Sequence, residues 1–232
     1  MSELTPGPRM AQVDLLTLER RISTERFAPY RAASGDDRSR ALGLYERNVQ
    51  LSAAFWEVLS DLEILVRNAM HDELTRWSLA RYGDAAWYLD HGKIFDGEAA
   101  AAIDTARRHA VASGKQETPG RVVAEIPLGF WRFLLAARYE RSLWFPCLRH
   151  GFPGIQGHGI RRDVHETMRS LHLLRNRIAH HEPIHNRPLG KLHDQALTVA
   201  GWVCPVTRQW IAARSRVPEL LAAPPGPSGG RR

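Results

Sequence analysis

The chain has 232 residues, 44% of them hydrophobic, with 32 basic and 25 acidic side chains and a formal charge of +7. That length suits one large domain or two small ones with a real core, and no uncharged apolar run reaches the roughly 18 residues of a membrane span. The first ten residues are polar and contain Pro6 and Pro8; they lack the apolar stretch of a secretory signal, so the sequence predicts a cytoplasmic protein.

In chain order, residues 1–10 read as a flexible N-terminus. The clearest helical pattern covers about 45–80, where Leu51, Phe55, Val58, Leu62, Leu65 and Ala69 recur at three- and four-residue steps. Gly83 follows as a C-cap residue should. An Ala-rich helix is predicted at about 97–113, closed by Gly114, and another at about 130–148, after Pro127-Leu128-Gly129. The Gly- and Pro-rich segment 152–159 reads as a loop. A long helix then runs from about 161 to 181 and ends before Pro183, because proline and the residue before it disfavour helix. A last helix spans about 190–213, with Pro205 as a break or kink. Residues 222–232 have the Pro/Gly/Ser composition of a disordered tail. Strand-like alternation is scarce, so the fold class is all-α, with residues 11–221 as one helical domain.

Cys147 and Cys204 are the only two cysteines. They lie far apart in sequence and form no CxxC, which points to two reduced core thiols rather than a disulfide or a metal site. Lys93, Lys115 and Lys191 are the only lysines, so the basic side is almost wholly Arg. The guanidinium presents a planar fork that fits phosphate, and a polyanionic partner follows from it; a merely solvated Arg-rich surface fits the charge equally well.

The helix ending near His181 carries the most distinctive chemistry. At about 100° per residue, Leu171, Leu174 and Ile178 fall on one side, while His165, His172, Asn176 and His180 fall on the other. Arg175 stands at the border, and small Ala179 beside it leaves room for a ligand. An Arg can hold phosphate through two donors, a His can move protons near neutral pH, and Asn176 can orient a neighbour or a substrate. Arg175 and His180 are spaced Arg-x4-His, a pattern that composition alone produces about once by chance. The other reading is a solvent-facing basic helix whose terminal His residues cap carbonyls.

Longer stretches narrow the choice. The run Leu174-Arg175-Asn176-Arg177-Ile178-Ala179-His180-His181-Glu182-Pro183-Ile184 closely resembles the signature of the Abi-like abortive-infection proteins, a group within the HEPN superfamily. Ala54-Phe55-Trp56-Glu57 and the run from Leu62 to Ala69 resemble that family's first helix. Gly129-Phe130-Trp131-Arg132-Phe133-Leu134 and Leu143-Trp144-Phe145-Pro146 resemble its middle block. The likeness spans roughly 40–215, with the motifs in order. It implies a HEPN-like antiparallel helical bundle with additional helices, which forms a homodimer. It also implies RNA cleavage without metal or other cofactor, at a site built from two protomers, in a toxin or phage-defence effector that an antitoxin could restrain. Residue by residue, Arg175 and His180 become the catalytic pair and Asn176 the intervening polar residue. His181 is an extra His with no assigned role.

Supporting residues are read from placement. Glu63 and Arg67 are spaced to pair along their helix; together with Asn68 they either brace the Arg175 site or form a local salt bridge with a capping amide. His172 lies on the same stripe as Asn176. A zinc reading of His172, His180, His181, His185 and His193 fails on spacing, since Pro183 breaks the register and no Cys pair accompanies them. Trp56, Trp77, Trp131 and Trp144 are read as packing residues rather than base-stacking ones. A non-catalytic RNA- or protein-binding dimer, and a regulatory dimer whose Arg and His only hold an interface, are the alternatives to the enzyme.

Overall fold

The structure, a computed structural model, describes residues 14–155 and 160–223. The expectations for residues 1–10, for 224–232 of the tail and for 156–159 of the Gly/Pro-rich loop lie outside the described residues. Among the described residues the secondary structure is entirely helical, without a strand. No helix among them is long and apolar enough to cross a membrane.

Two short helices, α1 (Leu15–Ile22) and α2 (Thr24–Ala33), come first, neither of them predicted. Asp14 caps the first through the amides of Leu16 and Thr17, and Ser23 caps the second through Arg26, the usual way a helix start satisfies its orphan donors. The axis of the fold is α3 (Arg38–Tyr82), 45 residues and so about 67 Å long at 1.5 Å per residue. Asp37 caps its start, and Gly83 ends it in the left-handed region at φ 72°, its amide donating to the Leu79 carbonyl. The stripe Leu51, Phe55, Val58, Leu62, Val66, Met70 and Leu74 is buried along its length. Helices α4 (Gly97–Ala110) and α5 (Pro119–Glu125) follow, with Gly114 at φ 72° in the turn after α4.

The region predicted as one helix at 130–148 is instead a series of short turns. Helix α6 (Leu128–Phe133) ends early; Ala136 is extended, and single helical turns follow at Ala137–Tyr139 and, in wider π form, at Glu140–Trp144. The reason is hydrophobic coverage. Phe130, Trp131, Phe133, Leu134, Leu135, Tyr139, Leu143 and Trp144 are all buried. A straight amphipathic helix buries a stripe only a little over 100° wide, and Phe130, Trp131 and Phe133 alone exceed that. The chain bends so that each reaches the core, where Trp87 packs against Phe130 and Trp131.

The C-terminal half follows the sequence pattern closely. Helix α7 (Ile160–Ala179) buries Val164, Met168, Leu171, Leu174 and Ile178. Helices α8 (Leu189–Val203) and α9 (Pro205–Arg214) are divided at Pro205, and α10 (Val217–Ala222) closes the chain. Helices α6, α7 and α8 pack on α3, forming one large core. A second, small cluster of Phe27, Tyr30, Ala41 and Leu42 joins α1 and α2 to the start of α3. Both cysteines are free. Cys147 is in the core, its thiol pushed up to about 12 by burial, whereas Cys204 is only partly buried, at the junction of α8 and α9, and so is not the core thiol expected.

Candidate functional site

The site is built where the end of α7 crosses the first half of α3. The core side of α7 is as the periodicity requires: Leu171, Leu174 and Ile178 are buried, His172, Arg175 and Asn176 are half-buried and His180 is exposed. Arg175, at the border, turns towards α3. Its guanidinium lies over the Trp56 ring, 5.3 Å from the centroid, within cation–π range. Its Nε is 3.8 Å from a carboxylate oxygen of Glu63. Trp56 and Glu63 are seven residues apart, two turns of helix on one face, so one arginine spans both. That Nε is enclosed, with no acceptor within hydrogen-bond distance, a condition it shares with the Nε of Arg132 and of Arg161.

Asn176 and His172, one turn apart on α7, are joined by a 3.4 Å contact between the amide nitrogen and Nε2. The His172 ring also lies against the start of α6: a Cβ at Gly129 would sit 3.3 Å from Nε2, so only a residue without a side chain leaves it this room comfortably. Burial, and then the charges of Arg132 and Arg175, hold the His172 imidazole below its usual range, so near neutral pH it is uncharged.

Helix α7 ends in a Schellman motif. The Glu182 amide donates to the Arg177 carbonyl at 2.8 Å and the His181 amide to the Ile178 carbonyl at 3.0 Å. His181 occupies the left-handed position, φ 55°, where glycine is the usual occupant. Two side chains lock the segment that follows. Arg177 donates through Nε and Nη2 to the Pro183 carbonyl, at 3.2 and 2.8 Å, and pairs with Glu182 at 3.1 Å. Asn48, only 4% exposed on α3, accepts through Oδ1 from the amides of Ile184 and His185, at 2.8 and 3.1 Å.

The helix end thereby separates two hollows. Asn176 and His180 share one of about 450 Å³ with Leu173, Arg177 and Arg187. Ala179 and His181 face the other, of about 920 Å³, which Trp56 also lines. Within the described residues no hydrogen bond joins Arg175 to His180.

Of the supporting residues, Glu63 is brought to Arg175. The expected Glu63–Arg67 pair is not formed, because Arg175 reaches Glu63 from the neighbouring helix; Arg67 instead donates to Asn68 at 3.3 Å. Asn68 lines a different hollow, with Ile64, Thr207 and Trp210, on the α9 side of α3. Among the described residues no three His, Cys, Asp or Glu converge as metal ligands.

The sequence reading gave Asn48 and Arg177 no role, and Trp56, read there as a packing residue, is instead exposed and seats Arg175. Asn48 had a usable signal: it continues the stripe of Leu51 and Phe55 one turn upstream, and a polar side chain on an apolar face must find partners. Trp56 is 42% exposed, unlike the buried Trp131 and Trp144, and follows the stripe residue Phe55 by one position, hence turned off the core side. Arg177 had no signal separating it from other helix arginines. No family model, curated protein or solved structure matches the chain.

Proposed function

We propose that the protein is a metal-independent endoribonuclease of the Abi-like, HEPN-related kind, a homodimer that completes its site across two protomers and acts as a toxin or abortive-infection effector. The observation that carries this reading is Arg175 itself: a guanidinium seated on Trp56 and near Glu63, its Nε–H enclosed and without an acceptor, on the same end of α7 that carries Asn176 and, just past it, His180. A phosphate oxygen would satisfy that donor and take the charge-assisted bond guanidinium groups favour.

The chemistry these residues suit is transesterification. The 2′-oxygen of a ribose bonds to its own neighbouring phosphorus while the bond from phosphorus to the 5′-oxygen breaks. The proton leaving the 2′-hydroxyl needs a base, and the departing 5′-oxygen needs a proton; His180 serves one of these roles. Arg175 stabilises charge developing on the phosphoryl oxygens. Asn176, tied to His172, holds the phosphate or the imidazole in place. The products are a 2′,3′-cyclic phosphate and a 5′-hydroxyl, and neither metal nor cofactor takes part.

The test is incubation of the purified chain with total RNA beside an Arg175→Ala/His180→Ala control. Cleavage that survives EDTA, leaves a cyclic phosphate and fails on RNA with a single 2′-deoxy substitution at the cut position supports the reading; EDTA inhibition or cleavage of the deoxy-substituted strand overturns the mechanism. The Arg175–Glu63 approach favours a second reading, in which the arginine only fastens α7 to α3 in an RNA- or protein-binding dimer. RNA bound but never cut would select it.

A further inference from the structure

The 920 Å³ hollow beside the helix end has no role in the chemistry above, and most of one wall comes from α1 and α2, which lie outside the stretch that resembles a known family. Its size falls within the roughly 300–1,000 Å³ of small-ligand sites. Arg21 and Arg26 stand on that wall, both exposed, and among the described residues neither side chain has a carboxylate partner. The one acid in the lining, Glu57, is already taken by Arg216 at 2.6 Å. Trp56, Ala179 and His181 line the same hollow, and the Trp56 ring is the one Arg175 covers. The hollow is therefore basic, carries an accessible indole, and touches Arg175 of the candidate catalytic residues through a shared side chain. His181 holds its place there in a left-handed backbone conformation, the kind of local strain that persists at binding sites.

We infer that this hollow is a subsite for single-stranded RNA. A base stacks on Trp56, and the neighbouring phosphates are held by Arg21 and Arg26, which leads the strand towards Arg175 and His181. Stacking on an aromatic platform with a basic track for the backbone is how single strands are held without sequence preference. The inference rests on the ribonuclease reading for what the strand is delivered to, but binding can be tested apart from cleavage.

The experiment measures binding of the full chain to a short fluorescent 2′-O-methyl oligoadenylate, which has no free 2′-hydroxyl and cannot be cut, over a range of salt. Each phosphate contact with a single strand contributes about 0.7 to the slope of log affinity against log salt. Arg21→Gln/Arg26→Gln should therefore flatten that slope by about 1.4. The same change of charge at Arg149→Gln/Arg162→Gln, where Arg162 lies about 25 Å from Ala179 along α7, should leave it unchanged. Trp56→Ala should weaken binding roughly tenfold, since one stacked base is worth about that much, and Trp56→Tyr should restore most of it. Equal slopes for the two double variants, or no binding by the wild-type chain, overturns the subsite. So does a groove variant that turns a dimer into a monomer in light scattering at unchanged RNA affinity, since the hollow would then be an interface between copies. If the oligoadenylate results come out as expected but RNA is never cut, the subsite stands and the catalytic reading falls. If RNA is cut and the slope is indifferent to Arg21 and Arg26, the reverse holds.

Discussion

The Asn48 side chain accepts a hydrogen bond from the Ile184 amide at 2.8 Å, joining positions 136 residues apart in the chain. It accepts the His185 amide as well, so one buried amide oxygen fixes the strand of backbone that leaves α7 just after His180 and His181. Asn48→Ala would leave two backbone donors without that acceptor. An orphaned buried donor costs about 1–3 kcal/mol, so a loss of about 2–4 kcal/mol is expected in urea unfolding. Amide exchange at Ile184 and His185 should accelerate more than at Leu171. Unchanged exchange there would show that the clamp does not hold the turn.

His181 sits at φ 55° in the Schellman position, where a Cβ is unfavourable and glycine is free of the penalty. His181→Gly should therefore raise stability by about 0.5–1 kcal/mol while weakening RNA binding or cleavage. Thermal unfolding and the RNA assay read the two effects separately. A variant that is both less stable and fully active would mean that the imidazole serves packing alone.

Leu174 on α7 is buried, whereas His180, just past the end of that helix, is exposed. His180→Ala should abolish cleavage or toxicity with the helical circular-dichroism signal intact. Leu174→Ala, 3% exposed in the wild type, should cost about 2–5 kcal/mol through the cavity it leaves. Unfolding of the His180 variant would remove the case for a catalytic role.

Stability should fall on mild acidification. His71, His172, His185 and His193 all have imidazoles held below the ordinary value of 6.5, with burial the largest cause in each. The unfolded chain then binds more protons than the folded one once pH drops below about 6.5, and stability rises with pH through that window. Melting temperature should decline from pH 7.5 to pH 5.5, and less steeply in His172→Gln/His193→Gln. The acidic groups held low, such as Glu19 beside Arg38 and Arg31, act only below their ordinary 4.5 and leave this window clear. A flat profile between those pH values would contradict the burial of these rings.

The assembly is testable directly. One chain supplies a single Arg175–His180 set, and no hydrogen bond joins the two within it. A homodimer bringing two α7 C-terminal ends together would supply the second set, and twofold pairing is the commonest symmetry. Light scattering at micromolar concentration should give twice the mass of 26.2 kDa; a stable monomer would count against a composite site.

What the sequence alone determined was local and periodic. The apolar spacing of α3 and α7, the stop at Gly83 and the break at Pro205 follow from helix geometry and backbone sterics, which act over a few residues. The two faces of α7 were legible for the same reason, and so was the partition of Leu174 from His180. The tertiary structure decided whatever depends on chains meeting from far apart. Glu63 had a sequence-neighbour partner available in Arg67, but Arg175 approached from another helix and took its place, because pairing is settled by which elements cross. The aromatic run from Phe130 to Trp144 looked like one helix because each short window is helical in pattern; only the shape of the core shows that so many large side chains on every side require the chain to bend. Asn48 and Trp56 received their roles the same way: a buried acceptor and an exposed indole acquire meaning only when the end of α7 is laid across them.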